Sequence, residues 1–158
     1  MSLSIIAAIA SNNVIGKNNK VPWRIPEELK HFYKLVYGKP VVMGRKTYES
    51  IGKPIKNSPN VILSHSPSLQ LAGCRVVNSV AAVLNLYQND VEVMVIGGES
   101  IYRQFLPFVN KMYLTFIDHR FDGDAYFPKW PASDWEIIEE CAVQSHLYPY
   151  RLLTWQRK

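Results

Sequence analysis

The 158-residue sequence predicts an α/β fold built on a mixed β-sheet. Short apolar runs such as residues 41–43 are typical of strands buried on both faces, and they alternate with segments of helical pattern. Residues 135–143 and 150–156 have the pattern of longer strands with loop-like residues between them, which indicates an antiparallel pair. The length fits one domain, residues 1–158, which can bury about two thirds of its unfolded surface.

The individual elements follow from local composition. Apolar runs that end at turn residues predict strands over residues 4–10, 41–43, 60–64, 75–78, 91–96, 111–118, 135–143 and 150–156. A helix is predicted to begin near Pro26, because proline suits the first helical turn. Further helices are predicted after Gly44, over residues 79–88, and from Glu99 through Phe105.

Composition restricts the class of protein. The net charge is +5, but the basic residues are scattered, so a small anionic ligand explains them as well as nucleic acid does. No apolar run is long enough to span a membrane and no charged signal region precedes the first strand, so we expect a cytoplasmic protein without a membrane partner. Cys74 and Cys141 lie far apart and outside any CxxC spacing, and we expect reduced thiols. The histidine spacing predicts no metal site.

Glu28 occupies an unusual position for a solvated carboxylate. At about 100° per residue it falls inside the apolar arc of the predicted helix, whereas Glu27 falls outside it. That arc consists of Ile25, Leu29, Phe32, Leu35 and Val36. A carboxylate that faces an apolar wall must be paired, protonated or bound to a ligand. Glu28 is therefore either a surface acid that complements the helix dipole, or a proton-handling group or anchor for a cationic ligand.

Three further segments suit a ligand. Residues 14–21 form a polar, glycine-containing stretch, which is either a mobile lid or an ordinary surface connection. Arg45 and Lys46 open a helix directly after a strand that ends in glycine, which suits a phosphate group but also fits a solvated helix start. Gly97 and Gly98 allow close approach of the backbone to a ligand, although the GxGxxG pattern of a standard Rossmann turn is absent.

Taken in order, these pieces resemble the bacterial dihydrofolate reductase family along nearly the whole chain. The matching segments are Val14–Gly16, Pro22-Trp23, Pro26-Glu27-Glu28-Leu29, Met43-Gly44-Arg45-Lys46-Thr47, Glu49-Ser50-Ile51-Gly52, Ile96-Gly97-Gly98, Tyr113-Leu114-Thr115, Gly123-Asp124 and Phe127-Pro128. The resemblance implies a single domain with an eight-stranded, mixed and mostly parallel sheet flanked by helices. It also implies a cis peptide between Gly97 and Gly98.

The implied activity is the NADPH-dependent reduction of 7,8-dihydrofolate to tetrahydrofolate, by hydride transfer to pterin C6 with protonation of N5, in one-carbon metabolism. The implied ligands are NADPH, dihydrofolate and antifolate inhibitors. We expect a monomer with no obligatory nucleic-acid partner.

The resemblance also assigns residues. The implied catalytic residues are Glu28, Trp23 and Thr115. The implied substrate-binding residues are Ile6, Ala8, Glu28, Leu29, Phe32, Ile51, Lys53, Ile55, Ile96, Tyr102 and Thr115. The implied cofactor-binding residues are Ala8, Ile15, Gly16, Asn19, Lys20, Gly44, Arg45, Lys46, Thr47, Leu63, Ser64, His65, Gly97, Gly98, Glu99, Ser100, Ile101 and Tyr102.

Two positions depart from the family pattern. Val21 stands where the lid usually carries a larger Met or Leu. Ser58 stands where the family places an arginine that clamps the α-carboxylate of the substrate's glutamate tail. The second departure leaves open a reductase of another pterin, or of a pyrimidine precursor of riboflavin, on the same fold. A catalytically idle NADPH-binding or basic nucleic-acid-binding module is a further alternative, which Glu28, Trp23 and Thr115 disfavour because a binding-only protein has no need of a costly buried acid.

Overall fold

The computed structural model describes residues 2–87, 89 and 91–158. The strands in this part are β1 (Ser2–Ala10), β2 (Val14–Gly16), β3 (Val41–Gly44), β4 (Asn60–Leu63), β5 (Cys74–Val77), β6 (Glu92–Gly97), β7 (Lys111–Ile117), β8 (Ala125–Tyr126), β9 (Trp135–Val143) and β10 (Tyr150–Arg157). The helices are α1 (Pro26–Val36), α2 (Arg45–Ile51), α3 (Val80–Leu86) and α4 (Glu99–Phe105), with a 3₁₀ turn at Ala132–Asp134. The predicted end of the third helix, Gln88, lies outside the described residues.

Eight of these strands form one sheet in the order β5-β4-β3-β6-β1-β7-β10-β9. The pairs from β5 through β7 are parallel, and β10 runs antiparallel to both β7 and β9. The predicted mixed, mostly parallel eight-stranded sheet is therefore confirmed. The antiparallel pair β2 and β8 was not predicted, because strands of three and two residues are too short to show an alternating pattern.

The helix boundaries have local causes. Pro26 occupies the first turn of α1, where its missing N–H is not needed, and Glu27 and Glu28 follow it. Gly52 ends α2 in the left-handed conformation and donates its N–H to Tyr48 O. The Ser79 hydroxyl accepts a 3.0 Å hydrogen bond from Ala82 N and so caps α3.

The strand register brings the carboxyl ends of several strands to one edge. Gly44 pairs with Leu63, Met43 pairs with Gly97, and Ala8 pairs with Thr115. Ligands of open α/β sheets bind outside the carboxyl ends of the strands. The fold therefore collects the predicted site residues at this edge.

Polar side chains meet at the opposite, amino-terminal end of the sheet, around Glu92. This carboxylate accepts hydrogen bonds from Lys39 Nζ at 2.7 Å, Ser4 Oγ at 2.7 Å and Tyr113 OH at 2.8 Å. Burial is the largest single effect and favours the neutral acid, but the three hydrogen bonds and the Lys39 charge together hold the pKa of Glu92 below its ordinary value. Ionised Glu92 is therefore a stabilising group of the fold.

We expect Glu92→Gln to lower the free energy of unfolding at pH 7 by about 1–2 kcal/mol, a range reduced for partial exposure of the group. A lowered pKa contributes stability above the unfolded-state pKa, and that contribution is lost as the pH falls through the folded-state pKa. The difference from the native protein should thus shrink between about pH 5 and pH 3 in urea titrations. The exposed Glu136→Gln is the matched control. A constant difference across this range would contradict the account.

Candidate active site

A carboxylate and a hydroxyl meet between α1 and β7. Thr115 Oγ1 donates a 3.2 Å hydrogen bond to Glu28 Oε1, and Thr115 itself is 4 % exposed. Burial raises the pKa of Glu28, and the Thr115 hydrogen bond opposes that rise without cancelling it. Glu27, one residue earlier, is exposed. The structure thus separates the two acids as the helical arc predicts.

An apolar wall adjoins this pair. The Trp23 side chain is 8 % exposed and belongs to a buried cluster with Ile25, Ile117 and Tyr150. Ala8 and Leu152 pack against the same cluster, and both are register partners of Thr115 on the neighbouring strands. Burial raises the pKa of Tyr150, with smaller contributions from the charges of Glu27 and Glu28, so the phenol lies within electrostatic reach of the acid.

The apolar arc of α1 is only partly correct. Ile25 and Val36 are buried, and Phe32 and Leu35 pack against the core. Leu29, which the arc and the resemblance place on an apolar pocket wall, is 48 % exposed. It lies three residues before Phe32, so helical geometry puts both on one side of α1, with Phe32 packed on the core and Leu29 exposed.

Several predicted pterin-pocket residues do lie together. Ile6, Ile55 and Ile96 are members of one buried cluster, with Phe32 and Ile51 packed against it, whereas Lys53 is exposed. Phe32 follows Glu28 by one turn on the same side of α1, so this apolar cluster and the acid share one side of the helix.

Sequence reasoning missed the residue that holds Ile55 in place. Asn60 accepts from Ile55 N at 3.0 Å and donates to Ile55 O at 2.9 Å, through a side chain buried at the start of β4. An amide side chain at a predicted buried strand position was the available signal, since such a group must find partners.

Tyr102 lies deep between the two predicted ligand regions. Its hydroxyl is 2.7 Å from Ile6 O and 2.9 Å from Ile96 O, which places it between β1 and β6. Burial raises the pKa of Tyr102 far above its ordinary value, and the charge of Glu28 adds to the rise. The group therefore stays a neutral donor to main-chain carbonyls and does not reach into solvent.

The predicted cofactor residues lie along the carboxyl ends of β4, β3 and β6. Ser64 and His65 follow β4, Arg45 opens α2 after β3, and α4 begins after β6. The Gly97–Gly98 peptide is cis, as expected, and a Cβ on Gly98 would lie 3.4 Å from Thr47 Oγ1. Two helix starts therefore converge at one glycine turn, which we call the glycine cradle because helix starts and a close backbone approach suit phosphate groups.

Charged side chains at this edge have specific partners. Arg45 Nε is 2.8 Å from Glu49 Oε1, and both side chains are more than half exposed. The Glu99 carboxylate accepts from Tyr126 N at 2.7 Å and pairs with Arg103 at 2.8 Å. The Glu99 side chain thus links α4 to β8, while its main chain can bind a phosphate.

The lid segment is attached at two points. Asn19 Nδ2 donates a 2.9 Å hydrogen bond to Lys46 O in the first turn of α2. Asn18 N donates to Asp124 Oδ2 at 3.1 Å, and Asp124 N donates to Gly16 O at 3.0 Å. These contacts show where residues 14–21 are attached, to the first turn of α2 and to Asp124, and both interpretations of the segment remain open. The other predicted cofactor residues lie on the lid or beside the same edge: Ala8, Ile15, Gly16, Lys20, Leu63, Ser100 and Ile101.

Gly123 explains how the lid and the segment before β8 approach so closely. A Cβ at this position would collide with Val14 and with the carbonyl oxygen of Gly16. The motif Gly123-Asp124 was recognised in the sequence without a role, and its role here is to support the lid.

The fold and this edge define an α/β oxidoreductase with a buried acid beside a dinucleotide cradle. The family model for dihydrofolate reductase matches residues 2–157. Dihydrofolate reductase type 3 of Salmonella typhimurium is 45 % identical over 139 residues, covering 88 % of this chain and 86 % of that protein. Dihydrofolate reductase of Bacillus subtilis is 36 % identical over 159 residues, covering 99 % and 95 %.

A solved dihydrofolate reductase from Enterococcus faecalis, complexed with NADP(H) and RAB-propyl, superposes with a TM-score of 0.93 at 32 % identity over 99 % of this chain and 96 % of that one. The chain therefore belongs to the dihydrofolate reductase family. Its class is that of an NADPH-dependent oxidoreductase of folate metabolism. Within the described residues, no helix is long and apolar enough to cross a membrane.

We expect Thr115→Val to raise the pKa of Glu28 further, because the variant removes the one hydrogen bond that opposes the effect of burial. The limb of the kcat/KM profile that reports Glu28 should then move to higher pH. Thr115→Ser keeps a hydroxyl and should leave the limb close to its native position. An identical profile for native and Thr115→Val would contradict this role of the hydroxyl.

Proposed function

We propose that this chain reduces 7,8-dihydrofolate with Glu28 as the acid of the pterin site. The observation that carries the proposal is the Glu28–Thr115 pair, a partly buried carboxylate with a raised pKa beside the cluster that contains Trp23. A carboxylate in such a position is a candidate for proton handling and for binding a cationic or N–H-rich ring.

Thr115, Glu28 and Trp23 each have a distinct role in this proposal. The Thr115 hydroxyl engages Glu28 Oε1, which leaves Oε2 to accept hydrogen bonds from the pterin amino group and N3. Glu28 also makes a proton available for N5, since its raised pKa favours the protonated form more than an exposed glutamate does. Trp23 excludes water from one side of the ring, because it is buried in the cluster next to Thr115.

The glycine cradle at the ends of β3 and β6 fits NADPH, which supplies the hydride for pterin C6 when bound. Arg45, Lys46 and Thr47 would hold the phosphate of the adenosine ribose, with Ser64 and His65 beside it. The main chain from Gly97 to Tyr102 would hold the pyrophosphate. The lid residue Asn19 reaches Lys46 O and so would close the cradle.

A second candidate substrate, a pterin without a glutamate tail, is favoured by one contact. The Ser58 hydroxyl donates a 2.9 Å hydrogen bond to Val36 O at the end of α1. This hydroxyl is therefore used within the protein, and Lys53 and Lys56 are the nearby cations in sequence. Lysine acts as a point charge and does not reproduce the two-pronged contact of a guanidinium. We propose loose binding of the tail.

We further infer a monomer that acts in the cytoplasm and binds antifolate inhibitors. Free thiols at Cys74 and Cys141 fit a reducing compartment. Sedimentation of the purified protein tests the monomer.

Glu28→Gln tests the proposed acid, with Glu27→Gln as its neighbour control. We expect Glu28→Gln to lower turnover at pH 7 by roughly 10²- to 10⁴-fold, since the amide cannot supply a proton. The raised pKa of Glu28 contributes stability that is fully present below its unfolded-state pKa and is lost as the pH rises through its folded-state pKa. The Glu28→Gln variant should therefore melt no lower than the native protein at pH 7. Equal turnover for the two variants would remove Glu28 from this role.

Arg45→Ala tests cofactor selection. Charge-assisted contacts of about 1.5–3 kcal/mol correspond to roughly 10- to 100-fold preference, so the KM for NADPH should rise far more than the KM for NADH. A parallel rise in both constants would assign Arg45 to holding the start of α2 through Glu49. Glu49→Gln is the control for that outcome.

Ser58→Arg tests the tail. The tail carboxylate is remote from the reacting ring, so its contact is similar in ground and transition states and should change KM while sparing kcat. We expect the KM for dihydrofolate to fall roughly 10-fold and the KM for a tail-less dihydropterin to stay constant. A native enzyme that already discriminates strongly, with no gain from Ser58→Arg, would show that another cation binds the tail.

A further inference from the structure

Four aromatic rings meet behind the lid. The Phe121 ring lies 5.1 Å from Trp23, 4.7 Å from His119 and 5.1 Å from Tyr148, measured between ring centroids. His119 and Tyr148 are also 4.7 Å apart. These separations and the tilted or edge-on angles are those of attractive aromatic pairs. We call His119, Phe121 and Tyr148 the ring triad, since each of the three contacts the other two.

The ring triad is built from two different loops. His119 and Phe121 belong to the connection between β7 and β8, and Tyr148 belongs to the connection between β9 and β10. Asp118 N donates to Pro149 O at 3.0 Å, so the two loops are also joined through their main chains. The triad therefore needs both loops to be in place.

The turn that follows β1 fixes the main chain at Phe121. Asn12 Nδ2 donates to Phe121 O at 2.8 Å, and Phe121 N donates to Asn12 Oδ1 at 3.3 Å. Ser11 N donates to His119 O at 3.0 Å. The turn that follows β1 thus anchors the segment that carries His119 and Phe121. We call this segment the platform, because it holds Phe121 in contact with Trp23.

Trp23 connects this platform to the acid. It follows the lid directly, and its cluster includes Ala8 and Leu152, the strand neighbours of Thr115. The same segment also holds the lid at Asp124, which accepts from Asn18 N. Movement of the segment that carries Phe121 would therefore displace both the lid and the Trp23 cluster beside Glu28 and Thr115.

We propose that Phe121, held by His119 and Tyr148, is a positioning residue for Trp23, and that the ring triad sets how closely the Trp23 wall seats against the Glu28–Thr115 pair. The proposal rests on the proposed role of Trp23 in the site. In this role Phe121 acts on the site through its ring contact with Trp23. The ring shape of residue 119 matters more than its ability to carry charge, since its described contacts with the triad are ring contacts.

Fluorine NMR of protein labelled with 5-fluorotryptophan reports the position of Trp23 without reference to activity. The chain has four tryptophans, and Trp130 contacts Trp135 and Trp155 at 6.3 and 4.9 Å in a separate cluster. Trp23→Phe assigns the Trp23 signal. Phe121→Leu should shift or broaden that signal while the other three stay in place. Phe108→Leu, at an exposed phenylalanine outside the triad, should move none of them.

Single-turnover oxidation of NADPH by saturating dihydrofolate gives the second readout. Phe121→Leu and His119→Ala should slow the hydride step by about tenfold, because a small displacement of a positioning group is felt strongly at the reacting centre. The KM for NADPH should stay constant, since the cofactor cradle lies on other strands. His119→Phe should keep the native rate, and Phe108→Leu should do the same.

Different results would overturn the positioning role of Phe121 and the proposed role of Glu28. A Trp23 signal that is unmoved in Phe121→Leu, or that moves together with all three others, overturns the positioning role, as does a shifted signal with a native hydride rate. Loss of the hydride step in His119→Phe as well as in His119→Ala also overturns it. A native protein without dihydrofolate reduction, or a fully active Glu28→Gln, refutes instead the proposed acid, whatever the Trp23 signal does.

Discussion

The hydrogen bond from the Thr115 hydroxyl to the Glu28 carboxylate is the contact on which the site depends. It joins the first turn of α1 to the middle of β7, two elements 87 residues apart in the chain. The bond forms only when α1 packs on the face of the sheet to which the Thr115 side chain points. An acid in this position costs stability unless a partner offsets its burial, so the site gives up some stability to keep a reactive group.

Two carboxylates near opposite ends of the sheet, Glu92 on β6 and Glu28 on α1, differ in the balance between burial and partners. Glu92 has three donors, and its pKa falls below the ordinary value in spite of burial. Among the described residues Thr115 donates to Glu28, and the pKa of Glu28 rises because burial outweighs this hydrogen bond. The first group acts as a structural anion at the amino end of the strands. The second, at the carboxyl end, is the acid proposed to bind the pterin ring and handle a proton, and the parallel register keeps the two ends apart.

Most of the sheet and the central acid could be predicted from the sequence, because buried strands and a helical arc leave strong periodic patterns. The β2 and β8 pair could not, since strands of three and two residues are too short to show an alternating pattern. The exposure of Leu29 could not be predicted either, because it depends on what packs against that part of α1, which periodicity does not describe. The contacts of Asn12 with Phe121 and of Ser58 with Val36 O join distant segments, and local sequence carries no sign of such partners.

The most direct test of the account is the ionisation of Glu28 in the protein without ligand. Carbon NMR of native protein labelled at the glutamate carboxyl carbon follows each acid through a pH titration, and Glu28→Gln identifies the Glu28 signal by its loss. The account predicts a pKa for Glu28 above the ordinary value of 4.5. A Glu28 that titrates at or below 4.5 would contradict it, because burial would then not control the acid on which the site is built.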